Sequence, residues 1–358
     1  MLIILYLLVS IYILFIKKNS KFTWLLVAGI IAFLSITTNF YADLDNYGPL
    51  FDYYNSGYVD INFSTTNFIW ALLCKLFYMF GFNYRGMVIG LIFINYYIMH
   101  MAAKKLNCNE NIFFGLFMIF PAIIQLVQLK FFTATALVIY AYSFLFEDNK
   151  LSIVKFLLLL GIAASIHSSN IIFLFLIFAR KNKFNNKAFF SLVIILFTLI
   201  ITLNLNSIIN ISQYFVSRQQ YSRYFVNTIT PSSNLWIILI FLSWLGCYLV
   251  SLFISKSQVF EEETNKFFSK HIISITLLLM TIPLLFIDRN MHRFLEVGYM
   301  ILFIMSGFWL KDRKMNKNRI IIMVLLIFVL FFNAYVYTPY ESTIKPIFSY
   351  DGFVNIRR

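Results

Sequence analysis

The chain has 358 residues, of which 61% are hydrophobic and only 12% charged, and it carries a net charge of +14. An average soluble domain carries about 25% charged residues, so a water-soluble core is excluded and the bilayer is the solvent. Nucleic acid does not explain the basic excess, because Lys and Arg are scattered among apolar stretches and form no stripe or nucleic-acid motif.

Residues Met1 to Ile16 are mostly apolar, with no basic residue before them and Lys17, Lys18 and Lys21 after them. That order is the reverse of a secretory signal and predicts a retained span with its N-terminus outside. Spans of about 20 apolar residues are predicted near 2–16, 22–40, 86–103, 111–129, 131–146, 151–166, 168–180, 188–205, 235–255, 271–288, 295–310 and 320–337. The fold class is therefore all-α, a polytopic transmembrane helix bundle of about 12 spans forming one integral membrane domain over 1–358.

The most basic short loops are Lys17 to Lys21, Lys104 to Lys105, Arg180 to Lys187 and Lys311 to Arg319, which belong in the cytoplasm by the positive-inside rule. Parity then forbids a further crossing at Phe68 to Phe82, which is short and carries Lys75; a re-entrant or interfacial helix is expected there. The stretch Leu151 to Ala179 exceeds one span and is expected to turn at Ser165, His167, Ser168, Ser169 and Asn170, while Pro121 and Pro283 are expected to kink their spans. The outside then holds loops 41–85 and 206–234, the turn Asp288 to Glu296 and the tail 338–358, with both termini outside.

On this topology sixteen of nineteen lysines lie inside, whereas seven of ten arginines (Arg85, Arg218, Arg223, Arg289, Arg293, Arg357 and Arg358) lie outside. External arginine opposes the topology rule and calls for another cause, either headgroup contact by long side chains or an anionic ligand that its planar fork holds through two hydrogen bonds. Cys74, Cys108 and Cys247 are too far apart in sequence to indicate a disulfide framework or a zinc site. No nucleotide-binding loop is present, so the energy for any reaction comes from the substrate or a gradient.

Four clusters of polar residues at membrane depth or beside it are the candidates for function. In the first, Asp43, Asp45 and Tyr47 precede Asp52, Tyr53 and Tyr54, so carboxylates sit among rings that can stack on sugar faces; the aspartate pair resembles the DxD of many glycosyltransferases, and a solvated acidic loop is the plainer reading. In the second, Gln125 and Gln128 lead to Lys130, either a charge beside a phosphate or a headgroup anchor. In the third, His167 stands among Ser165, Ser168 and Ser169; a histidine suits a general base, and a lone one in a polar turn is more often structural. In the fourth, Asp288 to Glu296, helical spacing would put Arg289, Arg293 and Glu296 on one face, where two arginines repel unless an anion lies between them.

Asp43 with Tyr47, the helix Phe68 to Asn83, Lys130 with Ala134, His167 with Ser169, and Arg293 opening a late span together resemble the EpsG family of bacterial exopolysaccharide proteins, relatives of the Wzy polysaccharide polymerases. Lysine at 130 stands where that family usually has arginine, and Thr65 or Thr66 where an acidic residue is common. The resemblance implies a glycosyltransferase of the bacterial cytoplasmic membrane that polymerises O-antigen, capsule or exopolysaccharide. It would move a growing glycan from polyprenyl pyrophosphate to a lipid-linked repeat unit.

On that reading Arg293, Arg289 and Lys130 stabilise the departing pyrophosphate, and His167 or Asp43 deprotonates the acceptor. Asp45, Tyr47, Tyr53, Tyr54, Arg218 and Arg223 would then line the glycan path. The expected partners are undecaprenyl-pyrophosphate-linked oligosaccharide, membrane lipids, a chain-length regulator and a flippase; no cofactor or metal is expected. A flippase or exporter of lipid-linked oligosaccharide, and a transferase using a polyprenyl phosphate sugar with Asp43 and Asp45 as its acidic pair, are the alternatives.

Overall fold

The computed structural model describes residues 2–16, 20, 22–37, 42–57, 61, 67–180, 191–192, 194–196, 198–199, 234–256, 262–286, 289–311, 317–338 and 344–348. Residues 206–233 of the expected loop 206–234, with Arg218 and Arg223, lie outside them, as do most of the expected span 188–205 and Arg357 and Arg358 in the tail. Every regular element among the described residues is helical.

Six helices there are long and apolar enough to cross a membrane: Tyr84–Lys105, Leu129–Phe146, Leu235–Lys256, Thr264–Leu285, Arg293–Leu310 and Lys317–Tyr337. Five shorter apolar helices accompany them, Ile3–Phe15, Thr23–Ile36, Phe68–Met79, Glu110–Ile119 and Ser168–Arg180. Large apolar side chains such as Leu8, Phe33, Leu158, Phe241 and Phe328 are left exposed, as expected where lipid replaces water as the surrounding medium.

The chain divides into two compact units. The first comprises 1–177, 306–314 and 333–358. Its helices are α1 (Leu2–Phe15), α2 (Thr23–Thr37), α3 (Ala42–Asn55), α4 (Phe68–Met79), α5 (Tyr84–Lys105), α6 (Glu110–Ile119), α7 (Ala122–Val127), α8 (Leu129–Ser143) and α9 (Lys150–Ile166).

Asparagines open three of these helices by accepting hydrogen bonds from first-turn amides: Asn83 from Gly86 at 2.9 Å, Asn109 from Asn111 at 3.0 Å and Asn149 from Ser152 at 2.7 Å. Lys104 and Lys105 close α5, where cations complement the helix dipole. Pro121, which cannot continue a helix, separates α6 from α7. The kink expected at that proline is thus a complete break.

Side-chain contacts set the direction of each helix. The Tyr6 hydroxyl donates to the Met118 carbonyl at 2.6 Å, and Asn111 Nδ2 donates to the Ile16 carbonyl at 3.2 Å, so α1 and α6 are antiparallel. Thr23 donates to Asn111 Oδ1 at 2.5 Å and the Trp24 ring meets Tyr97, which starts α2 at the end of the unit where α5 finishes. Asn95 donates to Thr133 at 3.0 Å, and Lys105 pairs with Glu147 and rests over Phe144, so α5 and α8 run parallel. The Lys105 hydrogen bond holds the Glu147 carboxyl below its ordinary range.

One consequence concerns α3 and α4. The chain leaves α2 and enters α5 at the same end of the unit, so the segment between them makes no net crossing. With 12 residues, α4 rises only about 18 Å against a hydrocarbon core of ~30 Å. At the opposite end His100 Nδ1 lies 2.7 Å from Glu110 Oε2, a buried pair joining α5 to α6 that sequence reasoning did not single out.

The second unit comprises 178–305 and 315–332. It holds α10 (Asn234–Lys256), α11 (Glu262–Leu278), a 3-10 segment Leu279–Phe286 containing Pro283, most of α12 (Arg293–Leu310) and most of α13 (Lys317–Tyr337). Pro283 accounts for the loss of α geometry there, because it offers no amide to the helical ladder.

Trp244 is fully buried and meets the Tyr299 ring at 5.4 Å, and it fits only because residue 298 is glycine: a Cβ there would lie 1.9 Å from Trp244 Cη2. Gly298→Ala is therefore expected to destabilise the protein by about 1–3 kcal/mol through overpacking. The check is the temperature at which the purified protein loses its monodisperse peak on size exclusion; an unchanged temperature would contradict this packing.

Candidate functional site

In the first unit, α3, α4, α8 and the end of α9 meet around Lys130. Lys130 opens α8 and is only 7% exposed. Its ammonium lies 5.2 Å from the centroid of Tyr47, on α3, and 5.7 Å from that of Trp70, on α4. Those two rings meet edge to face at 5.9 Å. A buried cation held between aromatic faces is attracted by the ring quadrupoles and has shed much of its water, so it is poised to act strongly on an anion brought to it.

Cys74, one turn after Trp70, is buried and feels the Lys130 charge. Burial, and then Cys74 and Tyr53, push the Tyr54 phenol above its ordinary value, which ties α3 to the same cluster. Tyr53 is 56% exposed and its ring lies 6.0 Å from that of Tyr54, so it forms the solvent edge. The expected external loop at this point is a helix, and Asp43 and Asp45 lie on its backbone; their side chains lie outside the described residues.

His167 ends α9. Its backbone is extended (φ −143°, ψ 106°), its amide closes the helix on the Ala163 carbonyl at 2.9 Å, and a 3-10 helix, Ser168–Arg180, follows. The turn expected between Ser165 and Asn170 is therefore present and centred on the histidine. The imidazole is half-buried, with its edge on the Phe131 ring at 5.4 Å and Nδ1 2.7 Å from Ser169 Oγ. Because Phe131 follows Lys130, helix α8 presents the cation and the imidazole's neighbour from successive positions.

Asn67, in the left-handed conformation at φ 59°, completes the arrangement: its Oδ1 accepts from the Ser168 amide at 3.3 Å and clasps α4 to the turn after His167. Trp70, Cys74 and Asn67 were not singled out from sequence. The available signal was an aromatic residue in the first turn of a helix barred by parity from crossing.

The fourth cluster lies in the second unit. Arg289–His292 forms a 3-10 turn and the α-helix begins only at Arg293. The expectation that Arg289, Arg293 and Glu296 share one α-helical face is corrected accordingly, since the 3-10 turn advances residues by a third of a circle instead of 100°. Glu296 has His292 beside it, with Nε2 3.7 Å from Oε1, both side chains buried and the imidazole edge-on to Trp236 at 5.8 Å. Arg293 is half-buried beside them, and the Arg289 side chain lies outside the described residues.

Among the described residues no three His, Cys, Asp or Glu side chains gather as a metal site, and Cys74, Cys108 and Cys247 are buried thiols outside any disulfide. No curated protein and no solved structure matches the chain. One family model does match, over residues 22–350 and so over nearly the whole length. The chain belongs to the EpsG family, and with its spanning helices it is a membrane protein of polysaccharide biosynthesis.

Proposed function

We propose that this protein is a Wzy-type polysaccharide polymerase of the bacterial cytoplasmic membrane. The acceptor sugar hydroxyl on a lipid-linked repeat unit attacks the anomeric carbon of the growing glycan. The bond from that carbon to the polyprenyl pyrophosphate breaks, the hydroxyl proton passes to a base, and the lipid pyrophosphate leaves with the electron pair. The activated donor supplies the driving force, in keeping with a sequence that carries no nucleotide-binding loop.

The observation that carries the reading is the Lys130 ammonium, buried against Tyr47 and Trp70 and one residue from the ring that His167 touches. A preorganised cation and a base candidate reached from successive residues of α8 match the two demands of the reaction, a stabilised leaving anion and a deprotonated hydroxyl. In this assignment His167 or Asp43 takes the proton, while Asp45, Tyr47, Tyr53 and Tyr54 hold sugar. Arg218 and Arg223, outside the described residues, are assigned to the glycan path on residue type alone. The topology belonging to this reading has about 12 crossings, both termini outside and the Lys130 end of the first unit at the outer face. A chain-length regulator and a flippase would act alongside it.

Deletion of the gene tests the class of reaction. A surface-glycan ladder that collapses to one repeat unit supports polymerisation, since single units are still made, flipped and attached. Loss of every band, with lipid-linked units trapped inside, would identify a flippase or an earlier transferase instead.

Arg289 and Arg293, in the second unit, are assigned to phosphate because an arginine fork fits paired oxygens. Complementation with Arg293→Ala is expected to leave single repeat units and no ladder at normal protein levels in the membrane. A full ladder would remove Arg293 from the reaction.

A further inference from the structure

The Lys130 cluster contains a donor that its protein surroundings do not use. Trp70 is 1% exposed, and its indole Nε1 has no hydrogen-bond partner among the described residues. A buried N–H left unsatisfied keeps the full cost of its lost hydration. Its ring is one of the two that face the Lys130 ammonium. It also stands in the first turn of α4, a helix of 12 residues whose Asn67 cap residue makes no side-chain cap bond and gives its oxygen to Ser168 instead.

Three features of one polarity therefore belong to this cluster: a buried ammonium, a buried indole N–H, and the positive end of a helix dipole whose cap side chain is engaged elsewhere. Helix N-termini of this kind bind phosphate through backbone amides. An ammonium alone is a point charge and does not spread its donors over paired oxygens as a guanidinium does.

We infer that the first turn of α4, with Trp70 Nε1 as its side-chain donor, is the subsite that together with Lys130 grips the pyrophosphate of the lipid carrier. This rests on the polymerase reading and deepens it. Trp70 would act as an oxyanion donor to the leaving group, while its ring face keeps Lys130 in place. Two phosphorus centres offer oxygens to both groups at once, so the site would prefer a lipid pyrophosphate to a lipid monophosphate or a phospholipid headgroup.

The test is binding of a short-chain prenyl pyrophosphate to the purified full-length chain in nanodiscs. Prenyl monophosphate and phosphatidylglycerol serve as competitors, and the native protein is compared with W70F, K130A and the double variant. W70F keeps the aromatic face and loses only the N–H. It is expected to weaken pyrophosphate binding by at least about tenfold, in line with a charge-assisted hydrogen bond. The effects of W70F and K130A should be non-additive, because both remove partners of one anion.

Should W70F fail to fold, the benzothienyl analogue at position 70, with sulfur in place of the N–H, makes the same comparison. Equal pyrophosphate affinity in the native protein and in a folded variant without the N–H would overturn this subsite and leave the polymerase reading standing. A native chain that does not bind prenyl pyrophosphate would overturn both. Retention of phosphatidylglycerol as tightly as the pyrophosphate would reassign the site to a phospholipid headgroup and overturn its role in the reaction.

Discussion

Replacing Lys130 with alanine is expected to lower the rate of glycan transfer by about 10²- to 10³-fold, the usual cost of losing one preorganised charge or donor at a developing anion. The size of the effect follows from burial. At 7% exposure the ammonium is poorly screened by water, and Tyr47 and Trp70 fix its position before substrate arrives, so little reorganisation is needed at the moment of bond cleavage. Lys130→Arg keeps the charge and adds a forked donor, and should retain most of the rate wherever its larger head is accommodated between the two rings.

The measurement is the initial rate of polymer formation from lipid-linked repeat units in membrane vesicles, normalised to the amount of inserted protein. A K130A rate within threefold of the native one would remove Lys130 from the chemistry and return it to the role of a headgroup anchor.

The second large effect is expected at His167, where alanine should cost about 10²- to 10⁴-fold if the imidazole is the general base. The geometry favours histidine here for a specific reason. The end of α9 places the ring at a break in the helix, with Nδ1 2.7 Å from Ser169 Oγ; with Nδ1–H donating to that hydroxyl, Nε2 is the basic nitrogen of the neutral ring. Asp43 is the competing candidate, and the two are separated by applying Asp43→Asn to the same vesicles. Loss of rate in H167A with D43N near native assigns the base to His167, and the opposite pattern assigns it to Asp43. Ser169→Ala should fall between, because it frees the ring without removing it.

Neither His167 nor Lys130 could have been linked to the other from sequence. They lie 37 positions apart, and the contact that joins them, imidazole on Phe131, depends on α8 and α9 packing side by side. The break at His167 was nonetheless legible, because a run of Ser, His and Asn interrupts an apolar stretch too long for one span. The short helix at Phe68 to Met79 was legible as well, from its limited apolar length.

The arginine cluster shares one α-helical face only where the helix begins before Arg289, and the helix begins at Arg293 after a 3-10 turn. The boundary of a helix depends on which carbonyls find partners, and a spacing argument does not supply that.

What the sequence determined by itself was the medium, the all-helical fold class and the family. Hydrophobic length and lysine placement are one-dimensional quantities set by transfer free energy and topology, and they can be read without knowing any contact. What only the tertiary structure decided was the identity of the site. Lys130 became more than an anchor because two rings from separate helices enclose it, and Trp70 became a candidate donor because its N–H is buried without a protein partner. Such properties belong to groups brought together from distant positions, where the cost of burying a polar atom is settled by its neighbours in space.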